Sequence, residues 1–352
     1  MAGVAASAAL AYHYWRRVGR DRDAPHADTA SIEAAATSGA SGGSYSNEAI
    51  DHVYAECFKL AFNVPRFDYQ ILGEHAAVLE RVQQNAAASV HQREYFPRRP
   101  MLLPKLLQAL NDDSTSRSSL VKLILKDPSL AGSVLQRANS SFYRVSPQPI
   151  DSLDAAVQML GTEGLRGLMA TAILQPVFRL PKGYFDRFAG ITWEQAQRCA
   201  GAAEAYAKST GTADPFIAQL LGLFAPLARI VLFRLTMDMY REMPNVLPRA
   251  EVFIRAMQSQ GASVARLVAS TWELSDPSIA ALAEQAGQIP PAQMTPLGRA
   301  VYFGELSAAL ALLVVRKSYS LDGAHAMLLD QGLPRETMHA AWRAATAVRW
   351  ER

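Results

Sequence analysis

The chain has 352 residues, half of them hydrophobic, with 19% charged residues and a formal net charge of +3. That is ample material for one large core or two modest ones, and the charge balance argues for neither nucleic acid nor anionic lipid as a partner. Its two cysteines, Cys57 and Cys199, lie far apart in apolar helical patterns, which excludes a disulfide framework and a clustered zinc site.

Met1 to Trp15 is apolar apart from Ser7 and His13, and Arg16, Arg17, Arg20 and Arg22 follow. A spanning helix needs about 20 apolar residues, and a signal peptide carries its positive charge before the apolar run. A cytoplasmic protein is expected, with inner-membrane association through residues 1–15 as the alternative. Asp23 to Ser46 is rich in Ala, Ser, Gly and Thr and reads as a flexible linker that proteolysis should trim.

From Asn47 the texture changes. Ile50, Val53, Tyr54, Cys57, Ala61 and Phe62 fall on one helical face, and Ile71 to Val90 can form a second helix. A proline-marked boundary follows at Phe96–Pro100. After Pro104 the pattern is helical throughout, with no useful period-2 strand. Asp127-Pro128, Asp214-Pro215 and Asp276-Pro277 read as helix starts, with the Asp as N-cap and Pro at the first helical position; Thr295-Pro296 is a variant. Gly161, Gly261, Gly287 and Gly332 read as helix stops. Leu153, Ala156, Val157 and Leu160 form one apolar stripe, and Leu165, Leu168, Met169 and Ala172 another. Gly161, Gly164 and Gly167 suggest close helix packing. Phe216 to Leu235 is long and apolar enough to raise a membrane span, but Arg229 and Arg234 within it favour two buried core helices meeting at Pro226. The fold class is all-α.

The stretch Leu102–Val177 resembles the opening of HDOD domains. The matching features are Leu103-Pro104, Asp127-Pro128, Ala138-Asn139-Ser140, Phe142-Tyr143, Ile150 with Ser152, and Leu160-Gly161. Each also has a structural role to play: Asp127 and Ser152 as N-caps, Asn139 at a helix end, Phe142 and Tyr143 in the core or as a staple. The resemblance implies a multi-helix fold related to the HD phosphohydrolases, whose His-Asp pair holds metal. In the corresponding segment, Gly222-Leu223-Phe224-Ala225-Pro226-Leu227-Ala228, Ala225 stands in place of the His and Pro226 in place of the Asp. Gly261 takes the place of another family His, ahead of Trp272, and no His-His pair follows near Ala280–Gln285. All seven histidines lie outside residues 92–324: His13, His26, His52, His75, His91, His325 and His339. An HD-type centre needs imidazole ligands beside carboxylates, and Glu163, Glu194, Glu204, Asp214 and Asp238 cannot supply it in the usual way.

Glycine-rich phosphate loops and a nucleophile elbow are also missing. Arg93, Arg98, Arg99 and Lys105 form a modest basic cluster, read as a solvated face before phosphate contact. The organisation expected is an apolar N-terminus and linker (1–46), a helical extension (47–95) and an HDOD domain (96–352), its core over about 100–290 and its C-terminal helices over 295–352. By resemblance this is a bacterial signal-transduction module acting through protein–protein contact, with no catalytic, cofactor-binding or metal-ligating residue and no cofactor. Its expected partners are signalling proteins, with a homodimer contact through the extension as a further possibility and nucleic acid not expected. The alternatives are a phosphohydrolase with a non-standard metal site and a nucleic-acid-associated regulator.

Overall fold

The computed structural model describes residues 47–68, 70–88, 117–125, 128–139, 150, 152–180, 182–286 and 289–348. The expected linker, the basic cluster before the domain and the motif residues Leu103, Pro104, Asp127, Ser140, Phe142 and Tyr143 lie outside them. The described residues are helical with no strand. In chain order the α-helices are α1 (Asn47–Phe62), α2 (Glu74–Ala88), α3 (Arg117–Leu125), α4 (Pro128–Ala138), α5 (Leu153–Leu174), α6 (Arg187–Thr210), α7 (Pro215–Leu221), α8 (Phe224–Arg241), α9 (Ala250–Thr271), α10 (Asp276–Glu284), α11 (Pro296–Val315), α12 (Leu321–Asp330) and α13 (Arg335–Ala347).

Two hydrophobic cores meet along α6. The first gathers Phe58 and Phe62 of α1, Val78 and Val82 of α2, Phe188 and Ala196 of α6, and the apolar faces of α8 and α9. Its centre is aromatic: Phe188 stacks on Phe233 at 4.6 Å, and Phe62 contacts both Phe188 and Phe253. The second gathers Ile50, Val53 and Cys57 of α1, Ala202, Ala203 and Tyr206 of α6, and most of α11, α12 and α13. Helix α1, expected as part of an extension, therefore contributes to both cores. Small residues of α6 such as Cys199 and Ala203 let α11 approach closely. A Cβ on Gly304 of α11 would lie 2.9 Å from the Ala203 side chain and 3.0 Å from the Cys199 carbonyl oxygen.

The helix ends follow side-chain chemistry. Ser152 accepts from Ala155 N, Asp214 from Ile217 N and Thr295 from Gly298 N, each as an N-cap. Asp276 is a correction: it is the first helical residue of α10, behind Ser275 in the N-cap position. Gly161 (φ 64°) and Gly332 (φ 89°) take the positive φ expected of them, Gly161 as an extended kink (ψ 178°) that divides α5. Gly261 does not, and α9 runs through it. Val252, Phe253 and Ala256 before it, and Val264, Ala265 and Val268 after it, are buried on one face, so tertiary packing outweighs the weak helix propensity of one glycine. The join inside the 216–235 run also moves, from Pro226 to Gly222–Leu223. Pro226 falls in the first turn of α8, where a missing N–H leaves no helical bond unmade. Pro215–Arg241 and Pro296–Val315 are apolar and long enough to cross a membrane by composition, yet most of each apolar stretch is buried inside the fold.

Candidate functional site

The first turn of α8 carries Ala225 and the buried Pro226, and one turn further on is Arg229. Spacings of four and three residues put Arg229 on the same face as this pair. Its guanidinium donates to Gln195 Oε1 of α6 at 2.8 Å and to Glu305 Oε1 of α11 at 3.1 Å. It also lies 5.7 Å from the ring centroid of Phe58 on α1. One cation thus ties together four helices at the seam of the two cores. Tyr54, Cys57, Phe58, Ala61, Phe188 and Thr192 complete the walls of a small cleft beside it, of about 10 Å³, room for about one water molecule.

Burial shifts the titratable groups around Arg229 toward their neutral forms. Burial raises the Glu305 carboxyl, and Arg229 only partly opposes this. Burial pushes the Cys57 thiol up to about 12 and raises Cys199 and Tyr54 well above their ordinary values, with Glu305 adding to both of the latter. Cys57 donates to the Ala309 carbonyl at 3.6 Å. A thiol is nucleophilic only as the thiolate, so neither cysteine is activated. The arrangement is a packed polar joint with a fixed positive charge.

A second joint lies at the next residue of α6. Glu194 and Arg198, each with 1% of its side chain exposed, pair at 2.6 Å. The other Glu194 oxygen accepts from Arg316 at 2.6 Å, and Arg198 donates to the Ala345 carbonyl at 2.6 Å. These bonds fasten the ends of α11 and α13 to α6 and satisfy both buried charges. Glu194, weighed above as a metal carboxylate, is thus committed to two guanidinium groups.

Of the motif residues within reach, Asn139 does more than end α4. Its amide donates to the Leu135 and Ile150 carbonyls, and its Oδ1 accepts from Ile150 N at 2.7 Å, closing the loop between α4 and α5. Gly167 allows the Gln219 side chain of α7 to lie against α5, where a Cβ would stand 2.6 Å from the amide nitrogen. The Arg229–Glu305 pair was not anticipated as a unit. Part of its signal was present: Arg229, one of two arginines in the 216–235 apolar run, and Glu305, the one carboxylate in the apolar 301–314 run, each need a partner.

A family model for the HDOD domain matches residues 96–287. No curated protein matches the chain. Among solved structures, the fold is similar to that of a proposed metal-dependent phosphohydrolase from Shewanella amazonensis SB2B (TM-score 0.54, 13% identity, covering 78% of this chain and 99% of that one). It is also similar to an HDOD domain protein of unknown function from Geobacter sulfurreducens (0.53, 19%, covering 76% and 89%). A proposed signal transduction protein from Marinobacter aquaeolei VT8 matches at a TM-score of 0.49 with 19% identity, covering 93% of this chain and 69% of that one.

The metal of the HD relatives can be tested against the residues at this place. Ala225 and Pro226 offer no donor atom, and Arg229 sets a fixed cation one turn away, which opposes a dication electrostatically. Among the described residues no group of three or more His, Cys, Asp or Glu side chains is placed to hold a metal ion. Among the described residues, those at this place do not fit the group.

Proposed function

The chain belongs to the HDOD family, and from that premise we propose that it is a non-catalytic signalling or regulatory module that works by binding another protein. One observation carries this reading: the pair of positions that would supply a metal-binding His and Asp holds Ala225 and Pro226, with the Arg229 guanidinium on the same helical face. The nucleophilic side chains nearest that face add weight, since burial shifts Cys57, Cys199 and Tyr54 away from their ionised forms. With chemistry removed from the joint, recognition falls to the outer faces of the helices, which α6 holds in fixed relation to one another.

Elemental analysis of protein purified without chelator is expected to give substoichiometric metal. Cyclic dinucleotides, guanosine tetraphosphate and nucleoside phosphates should remain intact with added manganese, magnesium or nickel. Placing His and Asp at positions 225 and 226 should not create turnover, because the other ligands are absent too. Stoichiometric metal, together with turnover abolished by replacing a carboxylate within 163–276, would overturn the reading and establish the phosphohydrolase alternative.

A further inference from the structure

Helices α12 and α13 lie beyond the HDOD match, which ends at residue 287, and form a hairpin over the second core. Met327 and Leu328 of α12 are buried there with Met338, Ala341 and Trp342 of α13. Where the two helices meet, His325 of α12 is wedged between two rings of α13. Its ring lies edge-to-face with Trp342 at 4.9 Å and edge-to-face with His339 at 6.1 Å. His325 Nε2 is buried and has no hydrogen-bond partner among the described residues. Beyond this contact α13 is held to α6 by two polar bonds, Arg198 to the Ala345 carbonyl and Ser209 to Thr337 at 3.0 Å.

We propose that the α12–α13 hairpin is a pH-sensitive closure on α6, in which protonation of His325 loosens α13 from the fold. The physical reason is local. A proton added to this imidazole makes both ring nitrogens donors, one of them buried with no acceptor, in a slot shared with a second imidazole. The charged groups around it do not remedy this. Asp322, exposed on its own helix, attracts the charge, while His339 repels it. Helix α11 also packs on α12, but its charged groups are committed elsewhere: Arg299 to the Met294 carbonyl, Glu305 to Arg229, and Arg316, just beyond its end, to Glu194. On α13, Arg335 and Glu336 occupy the exposed first turn, and Arg343 donates to the His339 carbonyl. Asp330 sits at the exposed far end of α12.

Burial, with His339 second, lowers the imidazole below its ordinary 6.5, against the upward pull of Asp322. A histidine depressed in the folded state contributes stability that is complete above 6.5 and is lost as pH falls through the folded value. The closure is therefore tight at neutral pH and weakens in mild acid.

Amide hydrogen exchange on the full chain, at about pH 7.5 and about pH 5.5 after correction for intrinsic rates, reads the device directly. Opening of residues 321–347 should rise by up to about tenfold per pH unit below 6.5, while residues 250–271 hold their protection. His325→Phe keeps an aromatic ring in the slot without a titrating group and should flatten the response; His339→Gln should shrink it. If His325→Phe packs poorly, His325→Gln serves the same purpose. An undiminished response in both His325 variants, or no acid response in the unmodified chain, overturns the proposal. His75, also depressed by burial, sits on α2 and would loosen that helix instead, so the exchange map distinguishes the two.

Discussion

At the scale of single residues, the Arg229–Glu305 pair is the most consequential feature. Both side chains are nearly buried, at 13% and 14% exposure, so removing one partner leaves a charge in a poor solvent. Arg229→Met is expected to destabilise the fold by roughly 3 kcal/mol, and adding Glu305→Leu should recover much of that. The pH dependence has a definite sign. A carboxyl raised in the folded state, as Glu305 is, contributes stability below its unfolded value that is lost as pH rises through the folded one. Without Arg229 the rise is larger, so the penalty of Arg229→Met should be greater at about pH 8 than at about pH 4.5. Urea unfolding at both pH values checks this; equal penalties would mean that Glu305 finds another partner or water. Both charges were visible in the sequence as interruptions of apolar runs, Arg229 together with Arg234 and Glu305 alone. Their pairing was not, because 76 residues separate them.

At the scale of elements, helix ends and helix approaches respond differently to substitution. Asp214→Ala and Thr295→Ala each remove an N-cap acceptor and should cost about 1 kcal/mol. Asp276→Ala should cost less, about 0.3–1 kcal/mol, because Asp276 stands inside the first turn and acts through the helix dipole alone. Thermal unfolding of the three variants side by side tests the ordering. The Asp-Pro signature marked the starts at Asp214 and Asp276, but at Asp276 it placed the cap one residue too late, since Ser275 stands in that position. Gly304→Ala makes a sharper test. Helix propensity alone favours alanine by about 1 kcal/mol, yet the Cβ would collide with α6 at Ala203 and Cys199. A net loss of about 1–3 kcal/mol is expected from overpacking, and a stabilised variant would show that α6 and α11 can separate freely.

At the scale of the whole molecule, the family match and the extent of the two cores do not coincide. The match ends at residue 287 and begins at 96, whereas α6 lies between two cores, one of which is completed by α1, α11, α12 and α13. A fragment spanning 96–287 would expose Ala202, Ala203, Tyr206 and Ala207 of α6 to water. It is expected to bind a hydrophobic dye and to lose cooperative unfolding, while the chain from residue 47 onward unfolds in one transition. A 96–287 fragment that melts sharply and stays monomeric would show that the second core is an independent appendage.

The sequence by itself determined the helical class, the caps at Ser152, Asp214 and Thr295, the positive-φ breaks at Gly161 and Gly332, and the membership carried by the motif around Asn139. These are local: each depends on a side chain and the few backbone groups within its reach. Only the tertiary structure decided that α9 runs through Gly261, that the apolar 216–235 run breaks at Gly222–Leu223, and that α1 contributes to both cores. It also decided which buried charges meet, joining Glu194 to Arg198 and Arg316, and Arg229 to Glu305. Burial and pairing depend on residues distant in the chain, and a one-dimensional pattern records that a group must find a partner without recording which one.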